Sequence, residues 1–457
     1  MSTIRPCLDL FIKSMRYMEE GSYFDLCQTL FREYGKTYAA KSWGRTVVHT
    51  MDPKNMQVVL SSCSSHFAVE PIRLDSLEKL LGKGVFTSDG YNWEHSRGLI
   101  NTIFAKAYIS DLSSLDLYVT RVLDMIPRDR STVDLQPLFK RLFLDVSTKF
   151  GFGASNAPLA SPANIAKTDE FLEAFEQALR GVGIRMFFGK FRFLFGGDGA
   201  ANEACARVHE VVDEFINDAL RNRQDSIAEA STLYNLLSEL GQSTESRLDL
   251  RHQVLNVFLP GYDSTAIGLS DVFFQLARNP RVWTKLRKEV MAIDHSITLE
   301  VIRSMNYLKN VLNESFRLLS PIGRNKRMCV KNCILPNGGS IKGQTPIIVK
   351  RGTKVNMVFR AMQRDPDLWR LDAAVFRPER WEERELKSTW EYMPFSRGAR
   401  ACPAQQMALL ECGYVLIRFL QEFERMENRD PQVEFVEEHR VTMQSRNGVK
   451  VALISAS

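Results

Sequence analysis

The chain has 457 residues, 44% of them hydrophobic and 25% charged, which excludes a disordered polypeptide. It contains no run of about 18 apolar residues, so it offers no spanning helix. Sixty Lys and Arg against 54 Asp and Glu leave +6 at pH 7; that mild excess suits an acidic partner or an anionic membrane surface, and no nucleic-acid partner is expected. In chain order, residues 8–18 form a short amphipathic helix, packed on the domain or touching a membrane from one side. Residues 43–60 look like short strands with a turn at Asp52-Pro53, a pair that also serves as cap and first-turn proline of a following helix. Helical periodicity covers 91–106, 168–181, 200–224, 247–278, 281–292, 306–319 and 402–421. Strand signals are short, at 328–335, 346–349 and 354–359. There is no repeat, low-complexity stretch or linker, so residues 1–457 read as one domain, mainly α with a small β region.

Residues 184–195, IRMFFGKFRFLF, interleave five phenylalanines with Arg185, Lys190 and Arg192. They read either as a helix end packed on the core or as the apolar lip of an entrance with snorkelling cations. The eight cysteines are scattered without a C-x-x-C pair, which fits a reducing compartment. There is no H-E-x-x-H, which argues against a zinc hydrolase.

The segment 395–404, FSRGARACPA, sets Phe395, Gly398, Arg400 and Cys402 in the order F-x-x-G-x-R-x-C. Four such fixed positions occur by chance in about one chain in a thousand. The pattern therefore outweighs the reading of Cys402 as a structural cysteine. A cysteine where a helix opens is favoured as thiolate, and a thiolate is a strong iron ligand that pushes electron density onto a haem. Gly398 lets backbone approach such a group closely, Phe395 can cover the sulfur, and Arg400 can pair with a haem propionate. Upstream, Glu314 and Arg317 lie one turn apart in ESFR, and FRPERW supplies Arg380; a Glu between two Arg makes a satisfied buried network that fixes geometry. In PGYDST, Asp263, Ser264 and Thr265 place an acid beside hydroxyls on an apolar helix. There Pro260 removes an N–H and frees the Asn256 carbonyl, so the helix is expected to open and hold water and dioxygen, or else to be a kinked core helix. Trp93 and Arg97, at i and i+4, can both donate to an anion.

These four segments, with RDPDLW at 364–369 and VFRPERW at 375–381, resemble the cytochrome P450 family from about Tyr34 to Gly448, and most of all its fungal alkane and fatty-acid hydroxylase branch. The resemblance implies a helix-rich fold with haem b between two long helices and Cys402 as axial thiolate ligand. By the same resemblance, Asp263, Ser264 and Thr265 deliver protons. Trp93, Arg97, Arg400 and Arg327 bind the propionates, alongside Phe395 and Gly398 of the cysteine loop, while Glu314, Arg317 and Arg380 form the structural network. Residues 68–83, 184–195, Phe258 and Ile322 fall where relatives line the substrate pocket. The implied function is insertion of one oxygen atom of O2 into a C–H bond of a hydrophobic small molecule of fungal specialised metabolism. The alternatives are a fatty-acid or alkane terminal hydroxylase, a haem-thiolate isomerase or dehydratase, and a haem-based sensor. Electrons would come from a separate NADPH-cytochrome P450 reductase docking near Arg397. The family's usual place is the cytoplasmic face of the endoplasmic reticulum. Its membrane anchor is missing from this sequence, which leaves peripheral contact, a cytosolic protein or a truncated chain. Two segments depart from the family pattern: Pro260 and Ser264 replace the usual small residue and threonine, and Pro403-Ala404 follows the cysteine where x-Gly is usual.

Overall fold

A computed structural model of the protein describes residues 3–4, 7–42, 45–107, 112–152, 165–189, 198–225, 246–293, 296–340, 343–383 and 389–455. Helices dominate it. The centre is the Arg247–Arg278 helix, started by Ser246, whose side chain accepts the Asp249 N–H, and buried along most of its length. Phe273 of this helix lies 4.9 Å from Phe139 of the Leu135–Phe152 helix and 4.9 Å from Phe419 of the Gln405–Glu422 helix. Three helices that are far apart in sequence thus share one aromatic junction, which supplies both large buried area and edge-on ring contacts.

The β part lies to one side, with its own apolar core. Its main sheet runs in the order Thr3–Ile4, Thr37–Ser42, Arg45–Thr50, Lys354–Met357, Asn325–Cys329, Phe67–Ala68. Val47 pairs with Lys354 in parallel, Asn325 with Met357 and Phe67 with Cys329 in antiparallel register. Tyr38 stacks on His49 at 4.9 Å.

Most helices expected from periodicity are present within a few residues, and Arg247–Arg278 matches its expected span. The strand reading of 43–60 is half right. The strand is Arg45–Thr50, and Asp52 then caps the Pro53–Gln57 helix by accepting the Asn55 N–H at 2.9 Å. A further helical turn, Val58–Ser62, follows it. The 402–421 helix begins only at Gln405. Pro403 biases the residue before it, Cys402, away from helical dihedrals. Cys402 therefore sits in the loop ahead of the helix. Tyr23–Tyr34, Glu70–Leu81 and Leu112–Asp124 are helices that the periodicity reading passed over.

The Cys7–Glu20 helix packs on the body of the protein, its Phe11 ring 5.6 Å from Phe187 and 6.0 Å from Phe188. Arg185 does not snorkel. It is buried and bonded to Asp198 at 2.9 Å and Asn202 at 2.6 Å. Residues 190–195 of that aromatic run lie outside the described residues.

Candidate active site

The cysteine loop is held by its own backbone. The Cys402 N–H donates to the Phe395 carbonyl at 3.0 Å, and Ala401 to Gly398 at 3.0 Å. Gly398 has φ +76°, and a Cβ there would stand 1.9 Å from the Leu60 carbonyl oxygen, so glycine is required both by conformation and by the close approach. Phe395 packs on Phe316 with ring centroids 5.3 Å apart. Cys402 is accessible on its surface, yet burial by surrounding protein pushes its thiol up, offset by the Ala404 backbone N–H and the Arg97 charge. A sulfur that is both accessible and desolvated faces an internal space rather than open solvent.

Around that space lies a cluster of cations short of counter-charge. Arg400 donates to Asp89 at 2.7 Å and to the Ser88 carbonyl at 3.0 Å, and its guanidinium lies 4.4 Å from the Trp93 ring centre. Arg327 is buried and bonded to Asn325 at 2.7 Å. Arg73 donates to the same Asn325 oxygen at 2.7 Å. Burial, then repulsion from Arg73 and Arg400, holds the Arg327 pKa well below its ordinary value; burial and Arg400 bring Arg73 down to about 10. Burial likewise lowers Arg97, which feels the Cys402 charge. Among the described residues, Asp89 is the one carboxylate acting on Arg73, Arg327 and Arg400. The Trp93 Nε1 is buried without a hydrogen-bond partner. A buried donor and several under-compensated guanidinium groups call for an added anion, and the two propionates of a haem supply that chemistry.

Glu314, Arg317 and Arg380 come together as expected, all fully or nearly fully buried. Arg317 grips Glu314 with two bonds of 2.9 Å, and Arg380 adds one of 3.2 Å. Trp381 Nε1 and the Arg377 N–H complete the carboxylate's shell at 3.1 and 3.0 Å. The network reaches the cysteine loop through Gln363, which donates to the Arg317 carbonyl at 3.0 Å and accepts the Met393 N–H at 2.8 Å.

On the long helix, Ser264 Oγ donates to the Pro260 carbonyl at 2.6 Å. Asp263 is buried and accepts from Arg440 at 2.9 Å and from Thr442 at 2.6 Å. Arg440 in turn meets Glu176 and Gln444. Thr265 is buried. The helix does not open at Pro260 and is helical throughout. Ser264 bonds back onto the Pro260 carbonyl, one turn beyond the freed Asn256 carbonyl, and Asn256 turns its side chain to the Leu81 carbonyl at 2.9 Å and the Phe86 N–H at 3.2 Å. Phe258 is core, 6.3 Å from Phe171, rather than a pocket wall. Arg397 is half-buried and bonded to the Tyr392 carbonyl at 3.4 Å. Sequence reasoning missed Arg73, Asp89, Arg440 and Thr442. Only the chemistry of their partners, buried charges in need of counter-charge, could have pointed to them.

The profile of the cytochrome P450 family matches residues 6–451. The chain is 35% identical to the cytochrome P450 monooxygenase himC of Aspergillus japonicus, over 98% of this chain and 81% of that protein. It is 34% identical to the cytochrome P450 monooxygenase iccC of Talaromyces variabilis, over 98% of this chain and 89% of that one. With cytochrome P450 52A4 of Candida maltosa it shares 35% identity, over 85% and 75% respectively. With a cysteine loop, a cation-lined internal space and relatives of this kind, the chain belongs to the cytochrome P450 family and is a haem-dependent monooxygenase.

Proposed function

We propose that the protein, acting as one domain over residues 1–457, hydroxylates an apolar intermediate of fungal specialised metabolism with Cys402 as the iron ligand. The observation that carries this is the accessible yet desolvated Cys402 sulfur beside the under-compensated Arg73, Arg97, Arg327 and Arg400. Haem, when bound, supplies a thiolate-ligated iron at which dioxygen is activated. The chain's own residues do the rest. Trp93 Nε1 and the four guanidinium groups neutralise and orient the propionates. Gly398 and Phe395 keep the cysteine loop tight against the protein and so fix where the sulfur stands.

Asp263, Ser264 and Thr265 handle protons. Ser264 must turn its hydroxyl from the Pro260 carbonyl to donate elsewhere, and Asp263 must release Arg440 or pass a proton through the Thr442 hydroxyl. Each such release breaks a hydrogen bond to a charged or carbonyl group, so proton supply is gated by side-chain rotation. Electrons come from an NADPH-cytochrome P450 reductase at the endoplasmic reticulum. Among the described residues, no helix is long and apolar enough to cross a membrane.

The test is optical. The purified ferric protein is titrated with a fatty-acid series and with apolar polyketide or terpenoid scaffolds, after its reduced carbon-monoxide spectrum has established thiolate ligation. A saturable Soret shift with the scaffolds supports the proposal. A shift only with fatty acids, growing with chain length, moves the assignment to a fatty-chain hydroxylase.

A further inference from the structure

Away from the haem space, three potential metal ligands meet at one edge of the main sheet. Cys63, His66 and Cys333 have ligand atoms that all lie within 4.8 Å of one another. The backbone brings them there by two independent devices. Cys63 precedes the 3-10 turn Ser64–His66, and the His66 N–H donates to the Cys63 carbonyl at 2.9 Å. At three residues per turn, positions 63 and 66 share a side. Immediately after, Phe67 pairs with Cys329, and the Val330 N–H donates to the His66 carbonyl at 2.8 Å. This lays the turn against the Asn325–Cys329 strand and the start of the Cys333–Gly339 strand.

The Cys333 thiol makes one long bond, to the Ile334 carbonyl at 3.7 Å, and the Cys63 thiol lies within 4.8 Å of it. The His66 Nδ1 is buried with no hydrogen-bond partner. Cys329 stands close by, but its thiol is turned to the Lys331 carbonyl at 3.1 Å and the Val349 carbonyl at 3.5 Å. Two neighbouring thiols, one with a long bond to a carbonyl, and an unpaired buried imidazole nitrogen make a poor apolar core. They make a good donor set for a borderline-soft cation.

We propose that Cys63, His66 and Cys333 bind a zinc ion, with water as fourth ligand. Tetrahedral zinc with bonds of about 2.3 Å to sulfur and 2.0 Å to nitrogen sets ligand atoms about 3.5–3.8 Å apart. Closing from a spread of at most 4.8 Å takes only rotamer adjustments. The thiols lose their protons to solvent as the metal enters. The ion would clip the end of the Val58–Ser62 turn to the start of the Cys333–Gly339 strand. That turn carries Leu60, whose carbonyl abuts Gly398 of the cysteine loop. The clip therefore braces one wall of the haem space without touching the haem.

The experiment uses untagged, haem-loaded full chain, dialysed without chelator and supplied with zinc. Elemental analysis should give about one zinc per haem, and zinc-edge absorption spectroscopy a shell of two sulfurs at about 2.3 Å with nitrogen or oxygen near 2.0 Å. Cys63→Ser and Cys333→Ser should lose the zinc while keeping the carbon-monoxide band of thiolate-ligated haem. That band shows that the variants are folded and that the Cys402 assignment stands apart from this one. Chelation should speed haem loss from the wild type and leave the variants' rate unchanged. Zinc absent from the wild type after zinc titration, zinc retained in both variants, or a Cys63–Cys333 disulfide trapped in freshly isolated protein would each overturn the proposal. The wild-type stoichiometry decides the matter even if a variant does not fold.

Discussion

Replacing Glu314 by Gln keeps the shape of a carboxylate that accepts five hydrogen bonds and removes its charge. Glu314 accepts from Arg317 Nε and Nη2, Arg380 Nε, Trp381 Nε1 and the Arg377 N–H. A glutamine can accept at only one of its two ends. Its less damaging orientation sets the NH2 group against Arg317 Nε and Trp381 Nε1, so two charge-assisted bonds become donor–donor contacts. At about 1.5–3 kcal/mol for each such bond, the loss is about 3–6 kcal/mol. The independent figure for breaking a buried ion pair by removing one partner, about 3–5 kcal/mol, agrees. Arg317 and Arg380 are 0% and 2% exposed, so water cannot take over. The expected result is a folding constant lower by about 10²–10⁴. Urea unfolding of haem-loaded protein, followed by circular dichroism and by the reduced carbon-monoxide band, measures it. A variant whose unfolding free energy lay within about 0.5 kcal/mol of wild type would refute the claim that this charge is uncompensated once lost.

Trp93→Phe removes the unpaired indole donor but keeps a ring under Arg400; haem transfer to an acceptor apoprotein should quicken by about 10–100-fold, one charge-assisted hydrogen bond's worth. An unchanged rate would mean that Nε1 does not face a propionate. Ser264→Thr should raise product formed per NADPH and lower peroxide, because the added methyl restricts χ1; equal coupling in both proteins would contradict a role for that hydroxyl's rotamer. Hydrogen bonding to Arg380 holds the Asp372 carboxyl down to about 2, against an ordinary value of 3.8. A depressed carboxylate contributes stability that is present above pH 4 and lost as pH falls from about 4 to 2. Asp372→Asn should therefore be less stable than wild type at pH 6, with the gap closing by pH 2; a gap independent of pH in an acid-unfolding series would rule out the charge as its source.

How much of this was legible depends on how local each signal is. The Arg247–Arg278 helix could be read to the residue because Ser246 caps it and its apolar positions recur without a break. The cysteine loop was equally plain, since its four residues lie within eight positions. Periodicity starts the late helix at Cys402, three residues before its first turn at Gln405, because it takes no account of the bias that Pro403 places on the residue before it. The partners of Asp263 were out of reach, since nothing near position 263 specifies that Arg440 and Thr442 arrive from the far end of the chain. Arg73 was hidden for the same reason, being on a weakly amphipathic helix whose charge has meaning only beside Arg327 and Asp89.

The bond between Asp263 and Arg440 joins positions 177 residues apart. Losing Arg440 alone would leave the Asp263 charge in the interior with only the Thr442 hydroxyl. In descent, the two sites are expected to behave as one character. A lineage that neutralises the helix acid should also lose the arginine, and the intermediate with only one of them should be rare. Thr442 and Glu176, which share the same guanidinium and carboxylate, are the positions where a compensating change would first be found. The Arg247–Arg278 helix and the hairpin of Glu437–His439 and Met443–Ser445 are thus expected to be inherited together, and exchanging either segment between relatives should fail unless the other travels with it.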